Sequence, residues 1–265
     1  MLIDLTWFLV LGGFVGLMAG LLGIGGGLIL VPFLMETFLA HGHSLDLSMK
    51  LAIGTTLLTI VVTGMSSTYA HHRHQGVLWG IWQQLIVGVI LGAIVGSLLV
   101  GVISGKALAF MVGIFALLAG IKMAFEWNPL PKGRLPGRFG MSCVGCGIGM
   151  ISSLIGIGGG TLTVPFLVWA QISIRQAIAT SAAVGVLIGL VGAIGFVVVG
   201  WSDHRLPEYS LGWTYLPAAC AIALTSTLLA PVGAKLVHTL PVLLIKRIFA
   251  VLLLVVGVRL IMRFT

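Results

Sequence analysis

Along this chain, apolar stretches alternate with short polar interruptions. The apolar stretches cover roughly 3–22, 28–40, 49–70, 77–103, 105–126, 139–155, 161–172, 176–200, 213–237 and 240–264. Runs near 20 apolar residues match the length of a membrane-crossing helix. None shows the ten-residue alternation of a membrane β-barrel. The pattern predicts an all-α polytopic membrane protein. One connection has a distinct character. Residues 127–138, WNPLPKGRLPGR, hold three prolines and three basic residues, and read as a non-helical, basic, cytoplasmic linker. It separates a first transmembrane repeat, 1–126, from a second, 139–265.

The two halves resemble each other. LLGIGGGLILVPFL (21–34) aligns with LIGIGGGTLTVPFL (154–167), with ten of fourteen positions identical. KLAIGTT (50–56) aligns with RQAIATS (175–181), so Lys50 falls on Arg175. Gly96, Gly120 and Lys122 fall on Gly233, Gly257 and Arg259 at one further offset. The stretch 3–40 would be about 57 Å long as a single helix, against a hydrocarbon core of about 30 Å. It is therefore expected to break at GIGGG into two shorter segments. Counted that way, each half reverses direction an odd number of times, and the halves are expected to be inverted repeats. The basic residues agree: an inverted arrangement puts nine of the fourteen inside, a parallel one eight.

Composition strengthens the membrane reading. The chain is 59% hydrophobic and 8% charged, where soluble domains carry about 25% charge. The N-terminus has no basic leader region, so it is expected to be a retained membrane segment. The net charge of +8 sits at span ends and loops, where lipid phosphates explain it better than nucleic acid does. Cys143, Cys146 and Cys220 lie in apolar runs and predict no disulfide framework. Cys143 and Cys146, a lone C-x-x-C, read as small packing residues.

The candidate chemistry centres on the duplicated glycines. Gly23, Gly25, Gly26 and Gly27, with Gly156, Gly158, Gly159 and Gly160, strip side chains from a helix break. A helix restarting after such a break presents free N–H donors and a positive dipole end, which suit an anion. Two breaks brought together would form a midplane substrate site. Tight helix packing through small residues is the competing reading. Pro32 and Pro165 follow each motif, as kinks or as first-turn prolines. Thr55, Thr56, Thr180 and Ser181 form a repeated hydroxyl set that either binds an oxyanion or bonds back to its own helix. Thr161 and Thr163 add hydroxyls in the second half only. Lys50 and Arg175 are span-end anchors or anion attractors at the two mouths of a path. Glu36 is the one carboxylate well inside an apolar run, and reads as an end-of-helix surface group. HHRHQG (71–76) reads as a juxtamembrane basic loop. No metal or cofactor is expected, and no nucleophile–base set suggests an enzyme.

GIGGGxxxVPFL early in each half, followed some twenty residues later by AIGTT and AIATS, resembles the sulfite exporter TauE/SafE family across essentially the whole chain. The second half departs from the pattern at Ala179. The resemblance implies a multi-pass inner-membrane transporter of a small sulfur-containing anion such as sulfite or a sulfonate. Site residues then map to 23–27, 54–56, 156–160 and 179–181. The expected partners are that anion and membrane lipids, with a homodimer left open. An anion channel and a non-transporting assembly protein are the alternatives.

Overall fold

A computed structural model describes residues 2–22, 26–125, 133–236 and 242–264. The elements are α1 (Leu2–Leu22), α2 (Gly27–Ala40), α3 (Leu45–Arg73), α4 (Trp79–Val100), α5 (Gly105–Ala124), α6 (Arg138–Ile155), α7 (Gly160–Trp169), α8 (Ile174–Gly200), β1 (Ser210–Leu211), β2 (Thr214–Tyr215), α9 (Leu216–Leu236) and α10 (Val242–Phe264). Each of the ten apolar stretches became one helix. Five described helices are long and apolar enough to cross a membrane. Leu91, Leu118, Leu224, Leu228, Val251 and Val255 are each at least 55% exposed, an outer surface suited to lipid and not to water. The chain is a multi-pass membrane protein.

The expected break of 3–40 is present: α1 ends at Leu22 and α2 starts at Gly27. The repeat breaks alike, between α6 and α7. At ten residues, α7 spans about 15 Å, half of a hydrocarbon core. One element escaped the sequence reading. Residues 213–215 do not open a helix; they belong to a small antiparallel hairpin with Ser210 opposite Tyr215 and Leu211 opposite Thr214. Tyr209 and Gly212 take positive φ, 64° and 51°, to form it. The linker residues 127–132 lie outside the described residues, while 133–137 are non-helical and Arg138 opens α6.

Helix packing follows the repeat. The corresponding pairs are α1 and α6, α2 and α7, α3 and α8, α4 and α9, and α5 and α10. Each half lends its first helix to the other: α1 packs on α9, and α6 on α4. Glycines make these contacts close. A Cβ on Gly12 would strike Ile222 and one on Gly16 would strike Ser226; their repeat counterparts Gly145 and Gly149 abut Leu85 and Val89 in the same way. Backbones approach this closely only when side chains are absent. Two corresponding pairs also touch directly. Leu57 meets Gly192, Val61 meets Gly189 and Gly64 meets Val186, so α3 and α8 run antiparallel. Gly113 meets Gly257 and Gly120 meets Leu254 and Ala250, so α5 and α10 do likewise.

Candidate functional site

The second break lies wholly within the described residues. Gly156 caps α6 in the left-handed region at φ 69°, a conformation glycine adopts without a Cβ clash. The Ile157 amide then donates to the Ser152 carbonyl at 2.9 Å, closing the helix end. α7 restarts at Gly160. In the first half Gly26 is the N-cap of α2, and its carbonyl accepts from Ile29 and Leu30. The breaks touch: a Cβ on Gly27 would lie 2.5 Å from the Gly156 carbonyl oxygen.

They open onto one cavity of about 560 Å³, within the usual range for small-ligand sites. Gly26 and Gly27 line it from one break, and Gly158, Gly159 and Gly160 from the other. The first amides of α2 and α7 therefore stand at its wall. Each helix start leaves N–H groups without an intrahelical partner, at the positive end of the helix dipole. Hydroxyls come from Thr59, Thr63, Ser66 and Ser67 on α3, Ser181 on α8, and Ser226 and Thr227 on α9. His71 is the one ionisable side chain among the described lining residues. No carboxylate faces this space from them. The Thr227 hydroxyl is buried and has no hydrogen-bond partner among the described residues.

The expected site residues divide. Gly26, Gly27, Gly158, Gly159, Gly160 and Ser181 are brought together; Gly23 and Gly25 lie outside the described residues. Gly156 shapes the break without lining the cavity. The repeated hydroxyls are mostly engaged elsewhere. Thr55 Oγ1 accepts from the Tyr215 amide at 3.0 Å, and its counterpart Thr180 Oγ1 accepts from the Leu78 amide at 3.0 Å. Each bond joins the two halves just before α9 or α4, satisfying a half-buried donor. Thr56 donates back to the Ala52 carbonyl at 2.7 Å and Ser181 to the Ile178 carbonyl at 2.8 Å, the bond to its own helix that the sequence allowed. Thr161 and Thr163 bury hydroxyls without a partner among the described residues and away from the cavity lining.

The two basic residues sit at opposite ends of the antiparallel α3–α8 pair. Arg175 is exposed in the first turn of α8, one turn before the lining residue Ile178 and at the end where His71 lies. Lys50 is at the other end and buried. Its Nζ lies 3.0 Å from Asp46 Oδ2 and 4.7 Å from the centre of the Trp213 ring. Glu36 is paired across to α10: Arg263 Nη1 reaches both its oxygens at 2.7 Å, and Arg259 lies at 3.3 Å.

The polar face of α3 was missed by the sequence reading. Its signal was available: Thr59, Thr63, Ser66, Ser67 and His71 recur at helical spacing on one face. The second half carries Val184, Ile188, Val191, Gly192 and Phe196 at the same places, and attention to residues shared by both repeats passed over an asymmetric stripe.

A family model described as "Sulfite exporter TauE/SafE" matches residues 8–260. The chain is 36% identical to a probable membrane transporter protein of Haemophilus influenzae over 96% of this chain and 97% of that one. It is 26% identical to a probable membrane transporter protein of Methanocaldococcus jannaschii over 89% and 87% of the two chains. YunE of Bacillus subtilis, another probable membrane transporter protein, is 28% identical over 72% and 77%. No solved structure matches.

Proposed function

The chain belongs to the sulfite exporter TauE/SafE family and is a membrane transporter; from that premise we propose that it carries a small sulfur-containing anion by alternating access between inverted halves. The observation that carries the reading is the cavity at which both glycine breaks meet. Backbone amides at two helix starts and the Thr227 hydroxyl offer donors to an oxyanion without a fixed positive charge that would hold it permanently, while Thr59, Thr63, Ser181 and Ser226 donate to carbonyls of their own helices and would have to turn from them to serve the anion. The absence of carboxylates among the described lining residues favours an anion over a cation. The volume suits a sulfite or a short sulfonate with accompanying water. Sulfur itself enters from the family description alone.

Alternating access requires one mouth open and one closed. The cavity lies toward the His71 end of α3, and the antiparallel contacts of α3 with α8 and of α5 with α10 support an inverted pair of halves. In such a pair, exchanging the conformations of the halves would move the opening to the other face. A channel would instead require both ends to be open at once.

The test is uptake of labelled sulfite and of sulfoacetate into proteoliposomes. Saturable uptake of either supports the proposal. Movement of other small anions only would remove the substrate, and no solute flux would remove the alternating-access reading.

A further inference from the structure

The repeat predicts where the second mouth must be. At the offset that places Lys50 on Arg175, the cavity residues Thr63, Ser67 and His71 fall on Ile188, Gly192 and Phe196 of α8. On the lent helices, Gly16 falls on Gly149, and on the fourth helices Ser226 falls on Val89. These counterparts are packed shut. Ile188, Phe196 and Val89 are each 0% exposed, Gly149 abuts Val89, and Gly192 abuts Leu57. The counterpart space is thus filled where the open cavity is empty.

What covers it differs between the halves. The α3–α4 connection is residues 74–78, whereas the α8–α9 connection runs from 201 to 215 and contains the hairpin. The extra length lies over the N-terminal end of α3, away from the cavity mouth. A Cβ on Gly54 would strike the Trp213 carbonyl, and the Trp213 amide donates to Phe196 O at 3.2 Å. The Trp213 ring is 5% exposed and meets Phe196 edge-on at 6.2 Å. A polar latch holds the ring. Trp213 Nε1 donates to Asp203 Oδ2 at 2.9 Å, and Arg205 Nη2 donates to the same oxygen at 2.8 Å. Arg205 Nη2 also reaches Asp46 Oδ2 at 3.4 Å, while Lys50, paired with Asp46, lies over the ring. Hairpin and α3 are therefore joined by one network.

We propose that this hairpin is the closed gate of a second access route, with Trp213 as its plug, the Asp203–Arg205–Asp46–Lys50 network as its latch, and Ile188, Gly192 and Phe196 as the route beneath it. The inference takes its purpose from the transporter reading, but its geometry is tested without a substrate. It also gives Lys50 a role that neither an anchor nor an anion attractor describes.

Two single-cysteine reporters, Thr63→Cys and Ile188→Cys, are made in full-length protein with Cys143, Cys146 and Cys220 replaced by serine. A membrane-impermeant maleimide is applied separately to each face of oriented vesicles. The gate predicts that Thr63→Cys labels from one face and that Ile188→Cys is protected from both. Adding Arg205→Ala, whose side chain is half exposed, should raise Ile188→Cys labelling from the opposite face by roughly 10-fold, and Trp213→Ala by more. An unchanged thermal melt for the Arg205→Ala protein separates gate release from unfolding. Ile188→Cys labelling that is the same with and without Arg205→Ala and Trp213→Ala would overturn the gate, as would labelling from the face that reaches Thr63→Cys. If the labelling pattern holds while proteoliposomes carry no anion, the transport reading falls and the gate stands.

Discussion

In the sequence Thr55 and Thr180 are a repeated pair that either binds an oxyanion or bonds back to its own helix, and in the structure they are a matched pair of hydrogen-bond acceptors. Each accepts a half-buried amide from the opposite half, Tyr215 and Leu78 respectively, at 3.0 Å. Replacing either by valine keeps the shape and orphans that amide, so each variant should lose about 1–3 kcal/mol of stability. Melting in detergent reads the loss, and uptake KM should stay at the parent value; a raised KM with unchanged melting would return these hydroxyls to the site. Gly158 is the opposite case. A Cβ there would have Ile60 Cγ2 as its nearest neighbour at 3.7 Å, so a larger side chain grows into the cavity without striking backbone. Gly158→Val should abolish uptake while melting stays within about 2 °C of the parent. Full uptake by this variant would show that the cavity is not on the path. Glycine composition alone could not separate Gly158 from Gly12 or Gly149, which serve packing, because the difference lies in what each glycine faces.

At the scale of elements, the helices were legible because their signal is local: long apolar runs, with glycine and proline at the breaks. The hairpin was not. Its strands are two residues each, and its tryptophan and tyrosine read equally well as the aromatic edge of a span. What holds it is tertiary, in the bonds to Asp203 and the pairing of Arg205. Arg205 keeps the Asp203 carboxyl well below its ordinary value of 3.8, chiefly by direct hydrogen bonds. A depressed carboxyl stabilises the fold above its unfolded pKa and loses that contribution only as pH falls through the lower, folded value. The latch should therefore be insensitive to pH from about 5 to 8 and weaken only in acid below the ordinary value. Hydrogen-exchange protection of the Trp213 and Tyr215 amides, corrected for intrinsic rates, checks this; a drop already at pH 6 would assign control of the hairpin to another group.

Over the whole molecule, the two halves are interlocked through exchanged first helices, so neither buries its glycine faces alone. The sequence repeat made the correspondence readable, whereas the exchange itself depends on long-range contacts that no window of sequence contains. The proposed inversion has a direct topological consequence: the α3–α4 connection near residue 75 and the α8–α9 connection near residue 206 should lie on opposite membrane faces. Impermeant labelling of single cysteines at 75 and 206 reads this, and parallel halves would place both on one face. The central claim, that one cavity is exposed alternately to the two sides, meets its most direct test in counterflow. Proteoliposomes loaded with unlabelled sulfite or sulfoacetate should accumulate the labelled anion transiently above equilibrium, and Gly158→Val should not. Equilibration without any transient accumulation, at a rate that does not saturate with anion concentration, would contradict the account and identify a channel.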